Sequence, residues 1–219
     1  MGIQPVATFH ARRGRISALT ATRLQTLLPG RAVPASVLQP PGAPDRADRV
    51  VLEIGCGHGG AALAYAAAFP RAHLVAVDVH PPGVARMLAA AQEADLGNLS
   101  VVLGDAVALL EQRVPPGVLD AVHLFFPDPW PKTRHRRRRF VGRHTLDLLA
   151  SRLTPDGEVL VATDSADYAA HAIAAVAQHG GFRAAVVARP AWRPVAGYEA
   201  KGIAAGRSIV LRRRRSVGE

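Results

Sequence analysis

The sequence predicts an α/β protein in which a parallel β-sheet is covered by helices on both faces. From Arg49 onward, short apolar runs alternate with segments whose apolar residues recur at helical spacing. This alternation is typical of a parallel sheet that is buried on both sides. The chain has 219 residues, of which 49% are hydrophobic, so it is long enough for one domain with a substantial core.

Each predicted element follows from a local pattern. Runs rich in Val, Leu and Ile predict strands, and apolar residues on one face of a helical period predict helices. The predicted strands are residues 50–54, 73–78, 101–103, 119–126, 158–163, 182–187 and 208–212. The predicted helices run from a glycine-rich stretch to Phe69 and over residues 83–94, 106–112, 138–153 and 166–179.

The chain divides by composition into three parts. Residues 1–47 contain an arginine cluster and a Pro-rich run, which predict a basic arm and a linker that are partly flexible. A merely solvated terminus is an equal alternative for this part. Residues 48–212 form the predicted α/β domain, and residues 213–219 a basic tail.

Charge and cysteine content narrow the class of protein. The net charge of +10 points to a polyanionic partner such as nucleic acid, or to an anionic membrane surface. A single cysteine, Cys56, excludes an internal disulfide and fits a reducing compartment. The sequence shows no paired metal-ligand spacing, no signal pattern and no apolar run long enough to span a bilayer. It therefore predicts a cytoplasmic protein without a metal site or membrane segment.

One stretch, residues 124–139, combines an apolar strand end, a stiff turn and a basic block. It reads LFFPDPWPKTRHRRRR, and its three prolines each fix φ and remove a backbone donor. Asp128 is held between two of these prolines, and Lys132 follows the third. A stiff loop at a strand end is suited to aiming a carboxylate at a ligand. The alternative is a Pro-rich turn followed by a solvated basic helix face.

A glycine loop follows the first predicted strand. Gly55, Gly57 and Gly60 match G-x-G-x-x-G between a strand and a helix, a spacing that on its own weakly favours a dinucleotide site. Glu53 changes this interpretation, because a carboxylate inside an apolar strand needs a cationic or hydrogen-bonding partner. A methionine-derived ammonium group satisfies that need, whereas a pyrophosphate has the wrong charge.

Further acids follow the ends of later strands. Asp78, Asp105 and Asp128 follow successive predicted strands, and the carboxyl ends of parallel strands meet at one edge of a sheet. Together with Glu53 they predict one crevice, in which Asp78 holds a ribose diol and Asp105 accepts from an adenine amino group. Taken singly, Asp105 and Asp164 are equally suited to cap helices, and Asp78 to a turn.

These motifs resemble those of the bacterial tRNA (guanine-N7-)-methyltransferase family. The matching segments are LEIGCGHG, VDVHPPGV, GDAV, LFFPDPWPKTRHRRRR, ATD with Tyr168, and YEAKG, and they span about residues 49–202. RRGRIS, residues 12–17, is similar to the family's N-terminal arm. The glycine loop is common to many methyltransferases, whereas the FPDPWPK block is highly specific.

The resemblance implies a fold, a methyl donor and a set of site residues. The fold is a Rossmann-like class I methyltransferase with a seven-stranded, mostly parallel sheet in the order 3-2-1-4-5-7-6, with helices on both faces and the last strand antiparallel. The donor is S-adenosylmethionine, no metal is implied, and Asp128 is the catalytic residue. Donor contacts come from Glu53, Gly55, Gly57, Asp78, Asp105 and Asp128. Substrate and RNA contacts come from Lys132, Arg134, Arg136, Arg137, Arg138, Arg139, Asp164, Tyr198 and Glu199.

The implied reaction is methylation of guanine N7 in tRNA, at position 46 of the variable loop, by a monomer or homodimer. The family's Thr-Lys-Phe-Glu segment reads Ala196, Gly197, Tyr198, Glu199 here, so only its last two positions carry over. Three other functions are compatible with parts of the sequence. They are methylation of a small molecule or protein, nicotinamide-dependent oxidation, and RNA binding by a catalytically impaired relative. The basic block disfavours the first, and the acids near the glycine loop disfavour the second.

Overall fold

The computed structural model describes residues 16–195 and 207–213 of the chain. Its strands are β1 (Arg49–Ile54), β2 (Ala72–Asp78), β3 (Leu99–Leu103), β4 (Leu119–Phe125), β5 (Leu153–Thr163), β6 (Phe182–Val187) and β7 (Arg207–Arg213). They form one seven-stranded sheet in the order β3-β2-β1-β4-β5-β7-β6. The pairs β2–β3, β1–β2, β1–β4 and β4–β5 are parallel, and β7 is antiparallel to both of its neighbours. The predicted strand order is confirmed.

Within the described residues the chain forms six α-helices and two short 3-10 helices, and the first of each precedes β1. The α-helices are α1 (Ala18–Leu27), α2 (Gly60–Ala68), α3 (Pro81–Glu93), α4 (Ala106–Gln112), α5 (Arg143–Arg152) and α6 (Ala166–His179) among the described residues. The 3-10 helices are Pro29–Arg31 and Thr133–Arg138. Within the described ranges, none of these helices combines the length and apolarity that crossing a bilayer requires.

The sheet carries a hydrophobic core on each face. Val51 of β1 belongs to the cluster under α2 and α3, whereas Val50 and Leu52 belong to the cluster under α4, α5 and α6. All three side chains are at most 1% exposed. Successive strand residues point to opposite faces, so an uninterrupted apolar run supplies both cores at once. This is why the central strands lack the alternation of a half-exposed sheet.

The first described helix, α1, was not predicted by the sequence patterns. The Ser17 hydroxyl caps it by accepting a hydrogen bond from the Thr20 N–H at 3.2 Å. No residue of the helix is fully buried, and only Leu24 and Leu27 pack against the core under α3. Such a narrow apolar face gives weak helical periodicity. Part of the predicted arm and linker is thus folded onto the domain.

Most element boundaries lie within two residues of those predicted, and two differ by five residues. The fifth strand begins at Leu153 rather than at residue 158. Its first half contains Pro155 and Gly157, and because such residues usually weaken strands, this half was not predicted. The helix predicted from residue 138 begins at Arg143, after the 3-10 helix. The basic block therefore lies in a short 3-10 turn, which places its side chains less regularly than an α-helix would.

Candidate active site

A crevice of about 310 Å³ opens at the carboxyl ends of the central strands. Its wall contains three carboxylates, Asp78 at the end of β2, Asp105 after β3 and Asp128 after β4, together with Gly55 of the glycine loop. Among the described residues, the wall contains no lysine or arginine. Parallel strands bring these distant residues to one edge, as the sequence predicted, and they give the crevice a negative lining.

The glycine loop is shaped by the Asp78 carboxylate. Gly55, Gly57 and Gly59 adopt positive φ angles of 72°, 56° and 82°, a region that residues with a Cβ rarely occupy. Asp78 Oδ2 accepts from the Gly57 N–H at 2.7 Å, and Oδ1 accepts from the His80 N–H at 2.8 Å. Each carboxylate oxygen has a second lone pair, so Asp78 can hold the loop and still accept from a ligand.

The glycine loop is also held by a close backbone approach from α3. A Cβ on Gly83 would lie 2.6 Å from the Gly57 carbonyl oxygen, whereas a Cβ on Gly60 would have no atom within 4 Å. Gly83→Ala is therefore expected to displace the loop and to lower the free energy of unfolding by roughly 1–3 kcal/mol, the usual cost of overpacking. Chemical denaturation measures this, and Gly60→Ala is the matched control. Equal stability of the two variants would contradict this role for Gly83.

Asp105 and Asp164 differ in their local roles. The Asp105 side chain caps α4 by accepting from the Ala108 N–H at 2.8 Å, and it also lies in the crevice wall. Capping and ligand contact are compatible, because the cap uses one carboxylate oxygen. Asp164 does not cap α6, since the Ser165 hydroxyl accepts from the Tyr168 N–H at 3.1 Å. Asp164 instead lies half-buried just after the end of β5.

Glu53 lies behind the crevice wall and is 3% exposed. Its Oε2 has no hydrogen-bond partner among the described residues and lies 4.0 Å from Nδ1 of His123 on the neighbouring strand, which also lacks one. Burial raises the pKa of the Glu53 carboxyl to about 8, although the Ala62 N–H and Arg193 lower it. Burial lowers the pKa of His123 to about 3. At neutral pH the two neutral groups therefore form no ion pair, and the orphaned Oε2 remains available to a cation.

An aromatic cluster that the sequence patterns did not predict packs around His123, which lies beside Glu53 on the neighbouring strand. The Trp192 ring stacks on His123 with a centroid separation of 5.1 Å and meets the edge of Tyr65 at 4.9 Å. The next residue, Arg193, is 2% exposed, and its guanidinium lies 5.4 Å from the Phe125 ring centroid. The only signal for this cluster is a Trp-Arg-Pro sequence shortly before residues 196–199. Because this short sequence has no helical or strand periodicity, it does not predict the position of Trp192 or Arg193.

The loop that carries Asp128 is held in a strained conformation. Phe126 and Trp130 flank the Pro-Asp-Pro segment and have φ angles of 51° and 42°, which are costly for bulky side chains. The Phe126 N–H donates to the Ala162 carbonyl of β5 at 2.7 Å. Trp130 is 5% exposed, and the Arg138 guanidinium lies 3.7 Å from its ring centroid. Asp128 itself is exposed at the mouth of the crevice.

The arginines of the basic block occupy three different environments. Arg134, Arg136 and Arg137 are exposed, and Arg138 is half-buried on Trp130. Arg139 is 3% exposed, and its buried guanidinium pairs with Asp167, whose side chain is half exposed. This buried position contrasts with the solvent-facing position that an RNA contact requires. Lys132 is exposed beside the block, and two further predicted site residues, Tyr198 and Glu199, lie outside the described residues.

Within the described ranges, no group of three or more His, Cys, Asp or Glu side chains is arranged to hold a metal ion. The crevice is thus an anionic site lined by backbone, carboxylates and aromatic rings. Such a site suits a cationic organic ligand. The exposed arginines immediately outside it suit a polyanion.

The fold is similar to those of solved methyltransferases. The 16S rRNA (adenine(1408)-N(1))-methyltransferase from Catenulisporales acidiphilia matches with a TM-score of 0.53 and 17% identity, over 78% of this chain and 89% of that one. The precorrin-6y C5,15-methyltransferase from Geobacter metallireducens matches with a TM-score of 0.53 and 14% identity, over 90% and 87% of the two chains. At these identities the likeness establishes the fold alone.

Sequence comparison identifies the family. A family model described as "Putative methyltransferase" matches residues 47–211. The tRNA (guanine-N(7)-)-methyltransferase of Halorhodospira halophila is 40% identical, over 92% of this chain and 91% of its own. The enzymes of the same name from Thiobacillus denitrificans and Nitrosospira multiformis are 38% and 36% identical, over 97% and 94% of this chain and 98% and 92% of their own. Fold, crevice and sequence agree, and the chain belongs to the tRNA (guanine-N(7)-)-methyltransferase family.

Proposed function

We propose that this protein transfers the methyl group of S-adenosylmethionine to N7 of guanine in tRNA, at position 46 of the variable loop. The observation that carries the proposal is the position of Asp128. This carboxylate is exposed at the mouth of an anionic crevice, on a stiff loop that leads directly into a block of exposed arginines. A methyl donor in the crevice and an RNA on the arginines would meet at this residue. Family membership supports the same reaction.

The residues of the crevice fit S-adenosylmethionine. The donor carries positive charges on its sulfonium and ammonium groups. The part of the wall that the structure describes offers Asp78, Asp105 and Asp128 and no lysine or arginine. Glu53 adds a buried carboxyl oxygen that lacks a hydrogen-bond partner within the described residues. A dinucleotide is disfavoured for the same reason, because these carboxylates would repel a pyrophosphate. We assign the ribose to Asp78 and the adenine amino group to Asp105.

The chemistry places few demands on proton transfer. Guanine N7 has an exposed lone pair and carries no proton, so no general base is needed to create the nucleophile. The bound donor supplies an electrophilic methyl group, and the protein has to align N7 with it. Asp128 can accept hydrogen bonds from guanine N1–H and the exocyclic amine. Its negative charge also stabilises the positive charge that develops on the ring.

The exposed basic side chains form the proposed RNA surface. Arg134, Arg136, Arg137 and Lys132 are all exposed next to the Asp128 loop, and Arg138 adds a half-buried positive charge over Trp130. Phosphate contacts of this kind fix the orientation of a nucleic acid without reading its bases. We assign Lys132 and Asp164 to the nucleotide that is methylated, and we include Tyr198 and Glu199 in the same substrate contact.

A nucleoside assay tests the function directly. The purified protein is incubated with bulk tRNA and methyl-labelled S-adenosylmethionine, and the tRNA is then digested to nucleosides. The expected labelled product is 7-methylguanosine, and transcripts without guanine at position 46 should remain unlabelled. Label at another ring position, or methylation of a small molecule but not of tRNA, would contradict the proposal.

Glu53→Gln is expected to weaken binding of S-adenosylmethionine by about 10- to 150-fold. Pairing with the ammonium group of the donor favours the ionised form of Glu53, so the proton that it carries in the donor-free protein is lost on binding. The resulting charge-assisted hydrogen bond contributes roughly 1.5–3 kcal/mol, and glutamine keeps the shape of the side chain but cannot carry this charge. Titration calorimetry measures the affinity. Glu111→Gln removes an exposed carboxylate that contacts His144 and serves as the control. Equal donor affinity of the Glu53 variant and the wild type would remove Glu53 from the donor site.

The same substitution is expected to stabilise the donor-free protein at alkaline pH. The folded pKa of Glu53, about 8, lies above its ordinary value of 4.5, so the folded state binds the proton more tightly than the unfolded state. The free energy of unfolding therefore falls as pH rises through this window. Above it, the wild type carries the full burial penalty, on the order of a few kcal/mol, and the glutamine variant does not. Thermal denaturation at about pH 5 and about pH 9 should show a larger gain at the higher pH.

A further inference from the structure

Arg139 connects the Asp128 loop to α6. Its side chain is 1% exposed, and its Nε donates to the Pro129 carbonyl at 2.9 Å. At the other end of the guanidinium, Nη2 pairs with the Asp167 carboxylate. The guanidinium carbon lies 5.7 Å from the centroid of the buried Tyr168 ring. One cation thus contacts the backbone next to Asp128 and the first turn of α6.

Asp167 is the counter-ion that offsets the desolvation cost of burying the Arg139 guanidinium. A guanidinium removed from water without a partner is costly. The hydrogen bond from Arg139 is the main reason why the pKa of Asp167 lies below its ordinary value. The other carboxylate oxygen contacts Nη2 of Arg136 at 3.2 Å. A single carboxylate therefore holds a buried arginine with one oxygen and an exposed arginine with the other.

The Asp128 loop depends on contacts from outside itself. Three of its residues are prolines and donate no backbone hydrogen bond. The flanking residues Phe126 and Trp130 have positive φ angles, a conformation that persists only where the surroundings impose it. Pro129 follows Asp128 in the chain, and Arg139 holds the Pro129 carbonyl by a directional hydrogen bond.

We infer that Arg139 and Asp167 are a positioning pair for Asp128, and that Arg139 is not a contact to RNA phosphate. The inference rests on the proposed function in assigning Asp128 to the guanine. The pair holds the Pro129 carbonyl in place, and through it the carboxylate that aligns the base. Neither residue touches the donor or the guanine. Loss of the pair should therefore lower turnover and leave both binding affinities nearly unchanged.

Three substitutions separate positioning from phosphate binding. Asp167→Asn keeps the shape of the counter-ion and should lower kcat about tenfold, with KM for tRNA and the dissociation constant of the donor changed less than about threefold. Arg139→Lys keeps the charge but lacks the fork that reaches Pro129 and Asp167 together, so it should be similarly impaired. Asp147→Asn is the control, because it removes an exposed carboxylate that pairs with His179 on the same face of the protein.

A spectroscopic measurement does not depend on activity. The chain has two tryptophans, so a Trp192→Phe background leaves Trp130, in the Asp128 loop, as the only reporter. Trp130 is 5% exposed, and adding Asp167→Asn should raise its accessibility to acrylamide at least about twofold. Adding Asp147→Asn should not. The measurement reports on the loop even where no tRNA is methylated, and thereby separates failure of this inference from failure of the proposed function.

Two results would overturn the inference. Wild-type turnover in Arg139→Lys would show that charge alone suffices, as at a phosphate contact. Wild-type kcat together with unchanged quenching of Trp130 in Asp167→Asn would show that the loop holds its position without the pair. A tenfold loss of kcat with increased quenching supports it.

Discussion

Asp128→Asn is expected to lower methyl-transfer turnover by at least about tenfold, which corresponds to at least about 1.4 kcal/mol of transition-state stabilisation. The amide keeps the shape of the side chain but removes the charge that opposes the developing positive charge on guanine. It also replaces one hydrogen-bond acceptor by a donor, which would face the donor groups of the base. Single-turnover assays with saturating tRNA and S-adenosylmethionine measure the chemical step. Binding of tRNA should change far less, because the exposed arginines supply most of that affinity.

The pH dependence provides a second test of the same chemistry. N7 carries no proton, so the rate should show no basic limb that reports deprotonation of a nucleophile.

Asp147→Asn, which removes an exposed carboxylate on α5, is the charge-matched control for Asp128→Asn and should retain wild-type turnover. Full turnover by the Asp128 variant would exclude the proposed role of this carboxylate.

Simultaneous replacement of Arg134, Arg136 and Arg137 by alanine is expected to weaken tRNA binding and to flatten its salt dependence. These three side chains are exposed next to the Asp128 loop, where a bound RNA would reach them. Each lost contact to a duplex phosphate lowers the slope of log K against log salt by about 0.9, so the slope should fall by up to roughly 2.7. Binding assays over a range of salt concentrations measure this change, and donor affinity should stay the same.

The control for the arginine variant replaces three arginines at the end of the sheet opposite the crevice. Arg113 follows α4, Arg183 is the second residue of β6 and Arg212 is the penultimate residue of β7. All three are exposed near the amino ends of the parallel strands. Replacing them removes the same charge from the protein at a distance from the crevice. An equal drop in slope for both triple variants would mean that net charge, rather than a defined surface, attracts the RNA.

The central strands were predictable because a strand that is buried on both faces consists of a continuous run of apolar residues. The glycine loop and the acids after β2, β3 and β4 followed from the same topology, since parallel strands deliver their carboxyl ends to one edge. Helix α1 was not predictable in this way. It contributes only half-buried leucines to the core, and its contact with the domain depends partly on Arg31, whose guanidinium donates to the Ala91 carbonyl at 3.4 Å.

Within the site, the residue types predicted which side chains are charged but not whether each of them faces solvent or the interior of the protein. Five arginines of the basic block were indistinguishable in the sequence, although Arg139 is buried and Arg137 is exposed. The difference arises because Asp167, distant in the chain, comes close only when α6 packs beside the loop. The contact of Trp192 with His123 likewise joins segments that no local pattern connects. Such pairs form only through tertiary contacts between distant segments, and the local periodicity of the sequence does not predict them.

The strand order has a consequence for how the protein is synthesised. Of the seven strands, β7 emerges last from the ribosome, yet it lies between β5 and β6 and supplies six residue pairs to each of them. Until β7 arrives, β5 presents an unpaired edge of largely buried, apolar residues, and β6 has no partner in the sheet. Open edges of this kind invite pairing with other chains. The nascent chain is therefore most exposed to aggregation in the interval after β5 and β6 have emerged and before β7 pairs with them.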